Sequence, residues 1–279
     1  MSIWYAFLEL LPFPWLSMNF MKNAFLAILL MAPLFGLLST MIVTGKMSFF
    51  SDALGHSGFT GIAIGVLCGS ALPIAWAVAL AVVIALLFSY VKSRTNHAAE
   101  TVISVFSSTA VALGIFIATL GGSSFTKFNK YLIGDVLSVT PGELALLGLV
   151  LILVLLLWLL ASNRLVLTSI HPQLASSRGI PIRGYETLFT VSIAVVVTLS
   201  MSWVGLMVVN SLLVLPAAAA RNIARNLREY HLFAVLDALI AGIAGLITSF
   251  YLGCSTGAAI SLYLALSFAI TFCFRKKRA

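Results

Sequence analysis

Charged side chains punctuate this chain rather than cover it. Residues 23–45 hold none, and from 47 to 91 the only charge is on Asp52, with His56 close by. The stretch 69–73, Gly-Ser-Ala-Leu-Pro, divides that second run in two. Further runs follow at 101–126, 144–163, 187–220 and 232–274, the last carrying only Asp237 and broken by Gly-Cys-Ser-Thr-Gly at 253–257. A bilayer span takes about 20 apolar residues, so these runs predict an all-α, polytopic transmembrane bundle of about nine spans. The run 187–220 exceeds one span and is predicted to hold a full one and a shorter, tilted or broken one ending near Pro216. Redrawing a boundary there or around 1–22 gives eight or ten spans. Residues 1–19, with Trp4 and Trp15 and the breakers Pro12 and Pro14, read as an interfacial segment at headgroup level.

Composition removes the soluble alternative. Of 279 residues, 61% are hydrophobic and 9% charged, whereas a soluble domain carries roughly a quarter charged residues. One membrane domain over 1–279 is therefore expected. The net charge of +8 reads as topology. With the basic C-terminus Arg275-Lys276-Lys277-Arg278 in the cytoplasm, alternation over nine spans puts 13 of the 16 basic residues inside and leaves Lys22, Lys127 and Lys130 outside. No basic stripe interleaved with aromatics occurs, so nucleic acid is not an expected partner. The three cysteines lie in or beside apolar runs without a CxxC and are expected to be small buried hydrophobes. No GxxxxGK[ST] loop is present, so any ATP-derived energy must come through a partner.

Three connections exceed the minimum: 121–141 outside, and 164–184 and 221–231 inside. In the second, Pro172 opens a short polar helical stretch closed by Gly179 and Pro181. A brief helix across the cytoplasmic face suits docking to another protein, or serves as an ordinary connector.

Asp52 and His56 are the first candidates for chemistry. Their i, i+4 spacing puts both on one helix face, and ionisable groups at membrane depth usually face a bundle interior or a water-filled cavity. A carboxylate with an imidazole suits Zn²⁺, Mn²⁺ or Fe²⁺, and a structural Asp–His hydrogen bond is the alternative. Gly55, Gly58, Gly61 and Gly65 would let this helix approach its neighbours closely. Gly55-His56-Ser57-Gly58 also matches the GxSG of intramembrane serine proteases, although His97, His171 and His231 fall in or beside loops. Glu100, Glu143 and Glu186 stand at helix N-termini, where a carboxylate complements the dipole. Asp135 lies in the outer loop, and Asp237 about one turn into its span.

Several stretches resemble the zinc/manganese/iron permease family of ABC transporters. Residues 47–65, with Ser51-Asp52-Ala53-Leu54-Gly55-His56 and Gly61-Ile62-Ala63-Ile64-Gly65, are similar to its "DALSHAxLPGVAxG" signature. Leu132-Ile133-Gly134-Asp135-Val136-Leu137-Ser138-Val139 resembles "LFGDILSVS". Pro172-Gln173-Leu174-Ala175 through Gly179-Ile180 resembles "DPELAxxxGI", residues 205–221 resemble "GxLLVxALLxxPAAxAR", and Thr256-Gly257-Ala258-Ala259-Ile260 resembles "PTGAxI". These occur in the family's order over nearly the whole chain. Thr60, His171 and Ser255 depart from it, replacing a proline, an acid and a proline.

The resemblance implies a type II ABC importer-like permease in the cell membrane, moving zinc, manganese or iron by alternating access. It implies a homodimer served by a cytoplasmic ATP-binding subunit and an extracytoplasmic metal-binding protein. By matching position Asp52 and His56 would contact the metal on its path, with Asp237, Glu100 and Asp135 as weaker candidates. His171, Pro172, Gln173, Leu174, Ala175, Gly179 and Ile180 would couple to the ATPase. No permanently bound cofactor is expected, the metal being cargo, and no catalytic residue. Two rivals remain: an intramembrane serine hydrolase using Ser57, and a proton-coupled secondary transporter using Asp52 and His56.

Overall fold

The computed structural model describes residues 4–5, 14–70, 72–95, 98–120 and 136–274. A short 3-10 turn, Pro14–Ser17, precedes ten helices: α1 (Asn19–Thr44), α2 (Phe50–Leu67), α3 (Pro73–Arg94), α4 (Ala99–Leu120), α5 (Pro141–Ile170), α6 (Pro172–Ser177), α7 (Ile182–Val204), α8 (Leu206–Ile223), α9 (Leu227–Leu252) and α10 (Thr256–Cys273). Among the described residues there is no strand. Among the described residues, eight helices are long and apolar enough to cross a membrane. The ninth long helix is α2, and it misses that group because Asp52, His56 and its glycines dilute an otherwise apolar run.

The chain forms two compact units: one of 1–40, 133–153 and 203–279, the other of 41–132 and 154–202. In the first, α8, α9 and α10 pack against one another, and side-chain hydrogen bonds run along α10. Ser249 meets Thr256 at 2.7 Å, Ser211 meets Ser261 at 2.8 Å, Tyr263 meets Thr248 at 2.8 Å, and Asn222 donates to Thr271 at 3.3 Å. Such bonds join helices where lipid gives apolar surfaces no reason to associate.

In the second unit α2 packs against α3 and α4. A Cβ built on Gly61 would stand 2.5 Å from Ala77 Cα and 2.7 Å from Trp76 O, so only glycine permits this approach of α2 to α3. Gly58 faces side chains of α7 instead, with Met201 Sδ 2.8 Å and Thr198 Cγ2 3.3 Å from where its Cβ would stand. On α4, Ala110 O accepts from Thr60 Oγ1 at 2.6 Å. Thr60, where the related signature has proline, thus bonds α2 to α4 within an unbroken helix.

Several boundaries differ from the sequence reading, each for a local reason. The run 187–220 breaks at Gly205, whose φ of 91° and ψ of 153° are open to glycine and costly for other residues. Pro216 lies inside α8 instead of ending it. Helix α5 runs to Ile170, past Arg164, because that guanidinium stacks over the Tyr185 ring at 5.7 Å and donates to its hydroxyl. Its 30 residues make about 45 Å of helix, more than the roughly 30 Å of bilayer hydrocarbon. The expected loop 221–231 shrinks to three residues. Asn226 caps α9 by accepting from Glu229 N at 2.9 Å, and Glu229 accepts from Arg225 N at 2.8 Å. Asp237 consequently lies ten residues into α9, deeper than the one turn expected.

All three cysteines are exposed, contrary to expectation: Cys68 and Cys254 follow the ends of α2 and α9, and Cys273 ends α10. Each sits at a helix end that the bundle leaves uncovered. The 1–19 segment lies mostly outside the described residues, although Trp4 donates to Lys22 O at 3.2 Å and Tyr5 to Asn23 at 2.6 Å.

Replacing Gly61 with alanine tests the close approach. Overpacking against backbone is expected to cost about 1–3 kcal/mol, read as a lowered thermal unfolding midpoint in detergent. Gly148→Ala, with nothing within 4 Å, is expected to leave the midpoint unchanged or slightly raised.

Candidate functional site

Asp52 lies in the first turn of α2 and His56 in the second. His56 Nε2 and Asp52 Oδ2 are 3.4 Å apart, with the imidazole 28% and the carboxylate 45% exposed. Most of α2 is buried, including Phe50, Ser51, Ala53, Leu54 and Gly55 on the same two turns. The pair therefore opens from an enclosed helix on one face only. Two donors each about 2.1 Å from one ion at a tetrahedral angle stand about 3.4 Å apart. The separation of 3.4 Å suits both a direct carboxylate–imidazole contact and two donors to one ion. Among the described residues no third His, Cys, Asp or Glu gathers with them.

Helix geometry also settles the depth of the pair along α2. At 1.5 Å per residue, Asp52 is about 3 Å and His56 about 9 Å from the helix start. That start follows the α1–α2 turn, whose Gly45 and Met47 line a cavity of about 160 Å³ together with Lys92, Leu165, Thr168, Pro172 and Glu186. The ends of α3 and α5 and the start of α7 thus gather at the end of this unit where α2 begins. Lys46, Lys92, Arg94, Arg164, Arg178 and Arg183 belong to these same segments, and the pair stands beside this basic end.

The other candidates have local explanations or lie elsewhere. Asp237 Oδ2 accepts from Ser267 Oγ at 3.0 Å and so belongs to the bonding along α10. Glu143 forms a reciprocal cap with Thr140, whose N and Oγ1 each donate to Oε2 at 2.8 Å. Glu100 occupies the first turn of α4. Asp135 lies outside the described residues. Ser57 is fully buried, and its hydroxyl donates to Leu54 O at 2.7 Å. His231, expected near a loop, is inside α9, and its Nδ1 is 2.8 Å from Thr40 Oγ1. Thr40 Oγ1 also contacts Leu37 O at 2.7 Å, so the hydroxyl bridges its own helix and His231.

The segment resembling a coupling helix is α6. Proline at its first position and a turn through Gly179, with φ of 70°, bound its six residues. His171, Pro172, Gln173, Leu174 and Gly179 are exposed, Ile180 is half-buried, and Ala175 alone is buried. Only Ala175 of this helix is buried, and its other residues are exposed. Sequence reading missed the contacts behind it. Lys92 Nζ donates to Glu186 Oε1 at 3.4 Å, and Ser89 and Thr187 share a hydrogen bond at 2.5 Å. The bonded partners are 94 and 98 residues apart, beyond any local pattern.

The sequence profile of the ABC 3 transport family matches residues 17–275. The high-affinity zinc uptake system membrane protein ZnuB of Haemophilus influenzae is 28% identical over 241 residues, 86% of this chain and 92% of that protein. The manganese import system permease protein ScaB of Streptococcus parasanguinis is 28% identical over 260 residues, 93% and 92% of the two chains. Among solved structures, PsaBC from Streptococcus pneumoniae in complex with Fab superposes with a TM-score of 0.80 at 25% identity, covering 98% of this chain and 95% of that one.

Burial of Ser57 predicts that a fluorophosphonate probe leaves the folded protein unlabelled; labelling removed by Ser57→Ala would restore the hydrolase reading.

Proposed function

The chain belongs to the ABC 3 transport family, and from that premise we propose that it is the membrane permease subunit of an ATP-driven importer of a divalent transition metal ion, zinc or manganese. It is a transport subunit, and ATP hydrolysis falls to a separate chain because no GxxxxGK[ST] loop occurs here. The observation that carries the reading to particular residues is the Asp52–His56 pair, 3.4 Å apart and partly exposed on a helix buried over most of its length.

The chemistry follows from the donor set. At neutral pH a carboxylate attracts a divalent cation, and the neutral imidazole adds a borderline donor suited to Zn²⁺ and Mn²⁺. Two protein donors leave the other coordination positions to water. Binding of that strength can capture an ion and still release it, as permeation requires. Iron fits the same donors, and its exclusion would lie with the protein that delivers the cargo.

The two compact units are read as halves of one permease domain. The distribution of Lys and Arg supports a multi-pass orientation in the cytoplasmic membrane with the C-terminus inside. On that orientation α6, with His171, Pro172, Gln173, Leu174, Ala175, Gly179 and Ile180, faces the cytoplasm. It docks on an ATP-binding subunit, whose cycle drives alternating access. An extracytoplasmic metal-binding protein presents the ion at the opposite face, where Asp135 would meet it, and a second copy of this chain completes the transporter.

Uptake of labelled zinc and manganese by cells expressing the complete transporter tests this reading. Asp52→Ala and His56→Ala, each at wild-type membrane abundance, are expected to lower uptake by at least about tenfold, the range seen when groups supporting a metal are removed. Wild-type uptake of both metals by both variants would refute the assignment. Uptake that survives ATP depletion and collapses with the proton gradient would instead favour a secondary transporter.

A further inference from the structure

Transport driven from α6 needs a mechanical route to α2, and the second unit contains one in three consecutive residues of α7. Tyr185 holds α5, through the hydrogen bond and ring contact from Arg164. Glu186 and Thr187 hold α3, through Lys92 at 3.4 Å and Ser89 at 2.5 Å. Because α6 is strung between α5 and α7, its root is tied to both neighbours and, through α7, to α3. From there the path to α2 is direct. The backbone of Trp76 and Ala77 in α3 lies directly against Gly61 with no side chain between, and Met201 of α7 reaches Gly58 through its side-chain sulfur.

The ties differ in kind. Lys92–Glu186 is an ion pair with side chains 26% and 38% exposed, and ion pairs open to solvent hold weakly. It also stands on the lining of the 160 Å³ cavity, which Pro172, the first residue of α6, lines as well. The first residue of α6 therefore borders the same space as the ion pair. Met47, just before α2, lines the same cavity.

We propose that Lys92 and Glu186 form a transmission latch. Closed, it makes the starts of α7 and the end of α3 one body, so that a push on α6 reaches α2 along both helices. Open, it leaves Ser89–Thr187 as the remaining side-chain tie between these two helix ends, and less of the push reaches Asp52 and His56. Weak binding is useful in such a part, since it must break and re-form in each cycle. Both are positioning residues that touch no cargo. The proposal rests on the permease reading above.

The test uses the complete transporter in proteoliposomes with its ATP-binding subunit and delivery protein, measuring zinc or manganese uptake and ATP hydrolysis in one sample. Lys92→Glu and Glu186→Lys are each expected to lower the metal moved per ATP by roughly three- to thirtyfold, the span of coupling changes along such networks, with hydrolysis kept within about twofold of wild type. The double exchange Lys92→Glu/Glu186→Lys is expected to restore the ratio. Single variants with the wild-type ratio, or a double exchange no better than either single, would overturn the latch. Should a charge reversal prevent assembly, Lys92→Gln and Glu186→Gln remove the pair without placing like charges together, and the same ratio decides. Failure of the permease reading looks different: the wild-type complex moves neither metal, or Asp52→Ala moves it as well as wild type.

Discussion

A helix bearing an aspartate, a histidine and several glycines gains little from contact with lipid, and a bilayer gives its neighbours no hydrophobic reason to enclose it. What remains is close van der Waals packing and interhelical hydrogen bonding. Helix α2 uses both. Gly61 admits the backbone of α3, Gly58 admits Met201 of α7, and Thr60 bonds the backbone of α4 at 2.6 Å. Enclosed on these sides, α2 shows its two ionisable groups on one face, 3.4 Å apart. How far the pair is exposed thus depends on contacts made by residues with no chemistry of their own.

The first unit meets the same constraint with hydroxyls and amides. Serine, threonine, tyrosine and asparagine side chains tie α10 to α8 and α9 along its length. Asp237 joins this arrangement through Ser267. An intramembrane carboxylate is by default a functional candidate, yet a bonded one within a structural seam differs from one beside an imidazole. Asp237 and Asp52 look alike in an apolar run, and only their partners separate them.

At the end of the second unit where α2 begins, the design changes again. Charges are abundant there, a cavity of about 160 Å³ lies among them, and Ala175 is the one buried residue of α6. Contacts there are weaker and more exposed than those around Gly61. A rigid α2 and a yielding root for α6 fit a machine in which force enters at one place and geometry must be kept at another.

Much of this was legible in the sequence because a bilayer imposes a linear code. Charge-free runs of about 20 residues mark spans, the i, i+4 spacing puts Asp52 and His56 on one face, and glycine spacing announces close helix packing. Proline and glycine around 172–179 located α6. Boundaries were less legible, because a helix end depends on whether a polar group finds a partner. Arg164 continues α5 by reaching Tyr185, Asn226 and Glu229 turn an expected loop into a cap, and Gly205 breaks a run that Pro216 does not. The sequence alone determined that the chain is a helical membrane bundle and which face of α2 carries its donors. The tertiary structure alone decided how far that face is open, which carboxylates are bonded structurally, and that Lys92 meets Glu186 across 94 residues of chain. Hydropathy and helical period are properties of a segment, whereas exposure and pairing exist only once distant segments are brought together.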